Sequence, residues 1–116
     1  MGDAIYEVAV RRRLLAEVGT NTNALQRAAV KYVSAGGQAT AMKGLFNGLT
    51  EEEQALVKRA RNHKSATRPK NQDPVDYKWA TALEALLGFL YLVGEEGRAQ
   101  ELSQKAMTVI DGQDEK

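Results

Sequence analysis

The chain contains no cysteine, a single histidine and only two prolines in 116 residues. Without cysteine there is no disulfide framework and no thiolate-held zinc centre. One histidine cannot build an imidazole-rich site. Any metal here must therefore be a hard ion held by oxygens, such as Mg²⁺ or Mn²⁺. No apolar run approaches the roughly 20 residues needed to span a bilayer, and no signal peptide is visible. The expected compartment is the cytoplasm, without membrane attachment. A dominant charge is missing too: 16 Lys and Arg face 15 Asp and Glu, for a formal net charge of +1. Global charge therefore says little about partners.

Alternating apolar and polar residues, the mark of a half-buried strand, are also lacking. Ala, Leu, Glu, Lys, Arg and Gln dominate, all good helix formers. The expected class is all-α, a bundle of five to six helices. The length suits one domain over residues 1–116, with enough chain for a modest core. Apolar residues make up 43% and charged residues 27%, as in ordinary globular proteins.

Punctuation divides the chain. Helical spacing runs from Ala4 to about Val18 and stops at Gly19. The loop Thr20–Asn23 offers N-caps. A second helix spans about Ala24 to Ala35, and Gly36–Gly37 marks a break or tight junction. A third covers about Gln38 to Phe46. Thr50, with Glu53 three residues on, forms a capping box for a fourth helix reaching about Asn62. His63 to Asp73 is a polar loop. Pro74 opens a fifth helix, where its missing N–H is harmless, and that helix should reach Val93. A sixth covers about Glu96 to Ile110, and residues 111–116 are expected to fray.

Two acids stand out. Asp3 lies at the mouth of the first helix, with Glu7 one turn on. Acids in a first turn suit the positive end of the helix dipole, so Asp3 alone decides nothing. Glu84 is in a harder place. The fifth helix carries an apolar stripe of Val75, Trp79, Ala82, Leu83, Leu86, Leu90 and Val93, expected to be core. Glu84 shares its own row with Tyr77, Ala80, Thr81, Gly88 and Tyr91, flanked by Leu83, Ala85 and Leu87. Such a helix is apolar nearly all round, and a carboxylate there is costly unless paired or bound to a cation. One reading is a half-buried glutamate bonded to an arginine or a backbone amide. The other is a metal ligand. Small Ala80 and Gly88 would let another helix approach, and if that helix is the first, Asp3 could meet Glu84. Two carboxylates plus waters are what Mg²⁺ accepts.

Charge is uneven along the chain. Lys58, Arg59, Arg61, Lys64, Arg68 and Lys70, with His63 among them, fill a window without a single acid. The tail after Val93 carries Glu95, Glu96, Glu101, Asp111, Asp114 and Glu115. Lys58, Arg59 and Arg61 suit a helix C-terminus. Lys64, Arg68 and Lys70 lie beyond it, among donors such as Asn62, Ser65 and Asn71, the residue types that contact phosphates and sugars. Nucleic acid and plain solvent both remain open as partners of this loop. Arg11, Arg12 and Arg13 point in different directions around a helix and say less. His63 reads as a phosphate or backbone contact, or as a residue without a role, rather than as a general base. Trp79, Tyr6, Tyr32, Tyr77 and Tyr91 read mostly as packing.

Taken together, "GDAIYE", "YVSAGGQA", "LTEEEQALVKRARNHKS", "PKNQD" and "ATALEALLGFLYL" resemble Mini-ribonuclease III, the short bacterial relative of ribonuclease III, in order and over nearly the whole chain. The resemblance implies the helical ribonuclease III catalytic domain without a double-stranded-RNA-binding domain. It implies a homodimer that cuts double-stranded RNA with Mg²⁺ and matures the ends of the 23S ribosomal RNA precursor. Asp3 and Glu84 match the family's catalytic metal ligands. The basic loop, Lys58, Arg59, Arg61, Asn62, Lys64, Ser65, Arg68, Lys70 and Asn71, matches its RNA contact. Where full ribonuclease III enzymes carry an acid three residues before that glutamate, this chain has Thr81. The family normally has a helical segment upstream of "GDA", so the sequence is expected to lack its N-terminal segment. The rival reading is a dimeric double-stranded-RNA binder that does not cut.

Overall fold

The structure is a computed structural model that describes residues 2–63 and 73–114. Six helices follow one another: α1 (Gly2–Val18), α2 (Thr22–Val33), α3 (Ala35–Leu45), α4 (Glu51–Asn62), α5 (Pro74–Leu92) and α6 (Glu96–Asp114). A single 3₁₀ turn, Phe46–Gly48, joins α3 to α4. No strand occurs among the described residues, so the all-α expectation holds.

Apolar residues at helical spacing form the core. Tyr6, Val10 and Leu14 of α1 lie four apart and are all buried. α5 contributes Ala82, Leu83, Leu86, Leu87 and Leu90, and α6 contributes Ala99, Leu102, Ala106, Met107 and Ile110. α5 packs against α1, α3, α4 and α6, which makes it the central helix. Its nearly continuous apolar surface follows from that position. The stripe is shorter than its sequence pattern, however. Val75 and Val93 are both 55% exposed, because they sit in the first turn and at the C-cap of α5, beyond the cover of its neighbours. Tyr6 and Tyr32 are core residues as expected, but Tyr91 is exposed.

The caps explain most boundaries. Asn21 accepts from the Ala24 N–H and starts α2. Thr50 and Glu53 make both halves of the capping box on α4. Asp73 accepts from the Val75 and Asp76 N–H groups, and Pro74 begins α5. The break between α2 and α3 falls at Ser34 rather than at Gly36–Gly37. The Ser34 hydroxyl accepts from the Gly37 N–H at 3.1 Å, so both glycines are drawn into the first turn of α3.

α6 runs to Asp114, past the expected end at Ile110 and into the segment 111–116 expected to fray. Asp111 is the reason. Its carboxylate accepts from the Tyr32 hydroxyl at 2.6 Å and pairs with Arg13, and Lys31 approaches to 3.6 Å. That clasp ties α6 to α1 and α2.

Candidate active site

The geometry of the two singled-out acids begins with glycine. Gly2 is buried at the start of α1, where the helix meets α5. A Cβ on Gly2 would lie 1.7 Å from the Glu84 carbonyl oxygen and 2.9 Å from its Cα, which no side chain tolerates. Gly88, one turn on along α5, faces the same point: a Cβ there would stand 3.2 Å from the Gly2 nitrogen. Two facing glycines thus let the backbone of α1 rest directly on α5. The close approach expected at Gly88 occurs, and its partner is the first helix. Gly2, its counterpart, was visible in the "GDA" triplet but had no assigned role.

This contact sets Asp3 beside Glu84. Asp3 is exposed in the first turn of α1, where the helix dipole favours an acid. Glu84 is half-buried. Burial, and then the negative charge of Asp3, push the Glu84 carboxyl above its ordinary value of 4.5. Among the described residues neither carboxylate has a hydrogen bond or an ion pair. The bonded-glutamate reading therefore finds no arginine and no backbone amide. No group of three or more His, Cys, Asp or Glu gathers anywhere among the described residues. The donor set is spare: two carboxylates of like charge, one exposed and one half-buried, with no hydrogen bond or ion pair to either among the described residues. Both are hard oxygen donors, and that combination suits a divalent ion that keeps part of its hydration shell.

Thr81, one turn before Glu84, turns its hydroxyl back onto its own helix and donates to the Tyr77 carbonyl at 2.9 Å. It adds no charge to the pair.

The basic residues divide by position. Lys58, Arg59, Arg61 and Asn62 lie on α4, and His63 is its exposed C-cap. Lys64, Ser65, Arg68, Lys70 and Asn71 lie outside the described residues. Arg59 lines a cavity of about 710 Å³ together with Thr50, Glu52, Phe89 and Arg98. Lys58 and Arg61 point elsewhere. The Lys58 ammonium is 5.8 Å from the centre of the Phe46 ring, and the Arg61 guanidinium is 5.0 Å from that of Trp79. The two rings meet edge to face, with centres 6.3 Å apart. Sequence reasoning missed this aromatic pair because its members belong to different helix ends and share no motif.

Comparisons with known proteins bear on the family and the fold. Residues 1–95 match the model of the Ribonuclease III domain. The chain is 46% identical over 113 residues to Mini-ribonuclease 3 of Brevibacillus brevis, covering 97% of this chain and 84% of that one. It is 44% identical over 111 residues to the Symbiobacterium thermophilum protein of the same name, covering 96% and 85%. Among solved structures, a crystal structure of a Fusobacterium nucleatum protein superposes with a TM-score of 0.78 at 36% identity, over 97% of this chain and 87% of that one.

Proposed function

This chain belongs to the ribonuclease III family, an endoribonuclease family acting on double-stranded RNA, and from that premise we propose that it cuts RNA duplexes with Mg²⁺ at Asp3 and Glu84. The observation that carries the assignment is the carboxylate pair, without a hydrogen bond or ion pair among the described residues and brought together by the Gly2–Gly88 contact. Burial and then a neighbouring acid both disfavour the ionised glutamate, and a bound cation reverses that. Mn²⁺ has the same oxygen preference and is an expected substitute.

What a hard divalent ion supplies in such a place is activation of water for attack on phosphorus and neutralisation of charge on the phosphoryl oxygens. The protein's own contribution is placement. Asp3 sits at a helix N-terminus, on a backbone that cannot shift without losing its contact with α5. Glu84 must give up its proton to bind a cation, so metal affinity should fall as pH drops. Because its carboxyl lies above 4.5, that loss begins at a higher pH than for an ordinary glutamate.

Lys58, Arg59, Arg61 and Asn62, followed by Lys64, Ser65, Arg68, Lys70 and Asn71, are proposed to hold the phosphate backbone. Such contacts make binding steeply salt-dependent. A-form RNA is read mainly through shape, phosphates and 2′-hydroxyls. The family resemblance supports a 23S ribosomal RNA precursor as the substrate and the cytoplasm as the place of action. A homodimer is supported by the exposed apolar side chains Phe89, Tyr91, Leu92 and Val93 at the end of α5. No described helix is long and apolar enough to cross a membrane.

The test is a cleavage assay on a long RNA duplex with titrated Mg²⁺, with a chelator control. Asp3→Asn and Glu84→Gln should each lower cutting by about a thousand-fold or more, the rate equivalent of the several kcal/mol an ion supplies. Duplex binding should survive both changes. Undiminished cutting by both variants would reject the assignment.

A further inference from the structure

Lys58 and Arg61 are not free surface cations. Each lies over an aromatic ring, and the two rings, Phe46 and Trp79, are packed edge to face. The plate they form is itself fixed. Trp79 and Phe46 are half-buried and pack against the core cluster. The Phe46 carbonyl also accepts from the Gln54 side chain at 2.8 Å, which ties the 3₁₀ turn to α4. The Arg61 Nε donates to the Asn62 side chain at 3.3 Å. Among the described residues, neither Lys58 nor Arg61 has an acidic partner. Two unpaired positive charges are thus held in place by rings, not by carboxylates. That leaves both cations available for an incoming anion while restricting their motion.

We infer that Phe46 and Trp79 are RNA-positioning residues, a plate that pre-orders Lys58 and Arg61 as phosphate contacts. The inference rests on the double-stranded-RNA reading and deepens it. Long cationic side chains lose much rotamer freedom when they grip a phosphate, and a ring beneath them removes part of that loss before the RNA arrives. Cation–π contact keeps the charge whole, whereas a salt bridge would compete with the phosphate for it. Trp79 precedes Glu84 by five residues, about 7.5 Å along the axis of α5 and about 140° around it. The plate and the carboxylate pair thus lie on different faces of one rigid helix, which fixes the distance between them.

Trp79 is the only tryptophan in the chain, so its emission reports directly on Arg61. The experiment titrates the protein with a short RNA duplex in chelator, which separates binding from cutting. Trp79 fluorescence and an independent mobility shift are followed together. Binding should change the emission saturably, with the midpoint of the mobility shift. Trp79→Leu should weaken binding about three- to ten-fold, the scale set by the immobilisation of such side chains. Its salt dependence should stay as steep as in the parent, since no charge is lost. Trp79→Phe, which keeps a ring, should restore most of the affinity. Lys58→Ala with Arg61→Ala should instead flatten the salt dependence by about two phosphate contacts and abolish the emission change. A merely structural role for Trp79 would lower the amount of competent protein and leave the binding midpoint where it was. A Trp79→Leu chain with parental affinity, or duplex binding without any change in emission, would overturn the inference and leave the nuclease reading standing. A parent chain that binds no duplex at all would overturn both.

Discussion

Glu53 and Glu84 are the same residue type, both drawn out of water and both on helices of the bundle, yet their surroundings are opposite. The buried Glu53 carboxylate accepts two hydrogen bonds from Arg98, at 2.8 and 3.0 Å, and one from the Thr50 N–H at 3.0 Å. Its pairing with Arg98, first of all, holds its carboxyl below the ordinary value. Among the described residues Glu84 has no such partner, and burial with Asp3 nearby moves it the other way. One acid is used to build the fold. The other stands beside a second acid, with no partner among the described residues, as a functional carboxylate would. The difference teaches where to look for chemistry in this molecule: at a carboxylate drawn partly out of water beside a second acid rather than beside an arginine.

The largest test of that contrast removes the partner of the satisfied acid. Arg98→Ala leaves Glu53 buried and unpaired, and should destabilise the chain by about 3 kcal/mol. Thermal melting should fall by roughly 10 °C. A change of a degree or less would show that Arg98 is a surface ornament.

Next comes the contact that sets the unsatisfied acid. Gly2→Ala drives a Cβ into the Glu84 backbone, so the start of α1 must lift and Asp3 must move. Cutting should drop by about 100-fold, the scale on which a 1 Å misplacement acts. Gly97→Ala is the control, because nothing lies within 4 Å of a Cβ there. Equal activity of the two variants would show that the close approach is not what places Asp3.

The smallest effect concerns stability and pH. Glu53 has a lowered folded-state pKa, so its contribution is present above about 4.5 and lost as pH falls below it. Glu84 has a raised one, so the folded chain binds the extra proton. Its ionisation lowers stability as pH rises from 4.5 through its folded-state value. Glu84→Gln should therefore melt slightly higher than the parent at neutral pH without metal, while losing cutting. The gap should close in acid. A lower melting point for Glu84→Gln would mean the carboxylate has a stabilising partner after all.

Much of this was legible in the sequence, for local reasons. Helical periodicity, the Thr50–Glu53 box and Pro74 at the head of α5 are short-range signals, and each element lies close to where they put it. Glu84 stands out because an acid in an apolar helix is anomalous wherever its partner lies, and Asp3 follows only as the acid that the first helix could bring to it. What could not be read was long-range. Asp111 looked like part of a loose acidic tail because Arg13 and Tyr32 are 98 and 79 residues away. The plate of Phe46 and Trp79 joins residues from two helix ends. Val75 and Val93 continue an apolar period past the point where other helices cover it, which periodicity alone does not reveal. The α2–α3 boundary moved because one serine hydroxyl outbid a pair of glycines for the turn.

The Asp111 clasp also bears on how the chain comes together during translation. Synthesis runs from the N-terminus, so Arg13 and Tyr32 are made 98 and 79 residues ahead of the carboxylate that joins them. The clasp can therefore close only after α1 to α5 have all been made, and it fastens the last of the described helices to the first two.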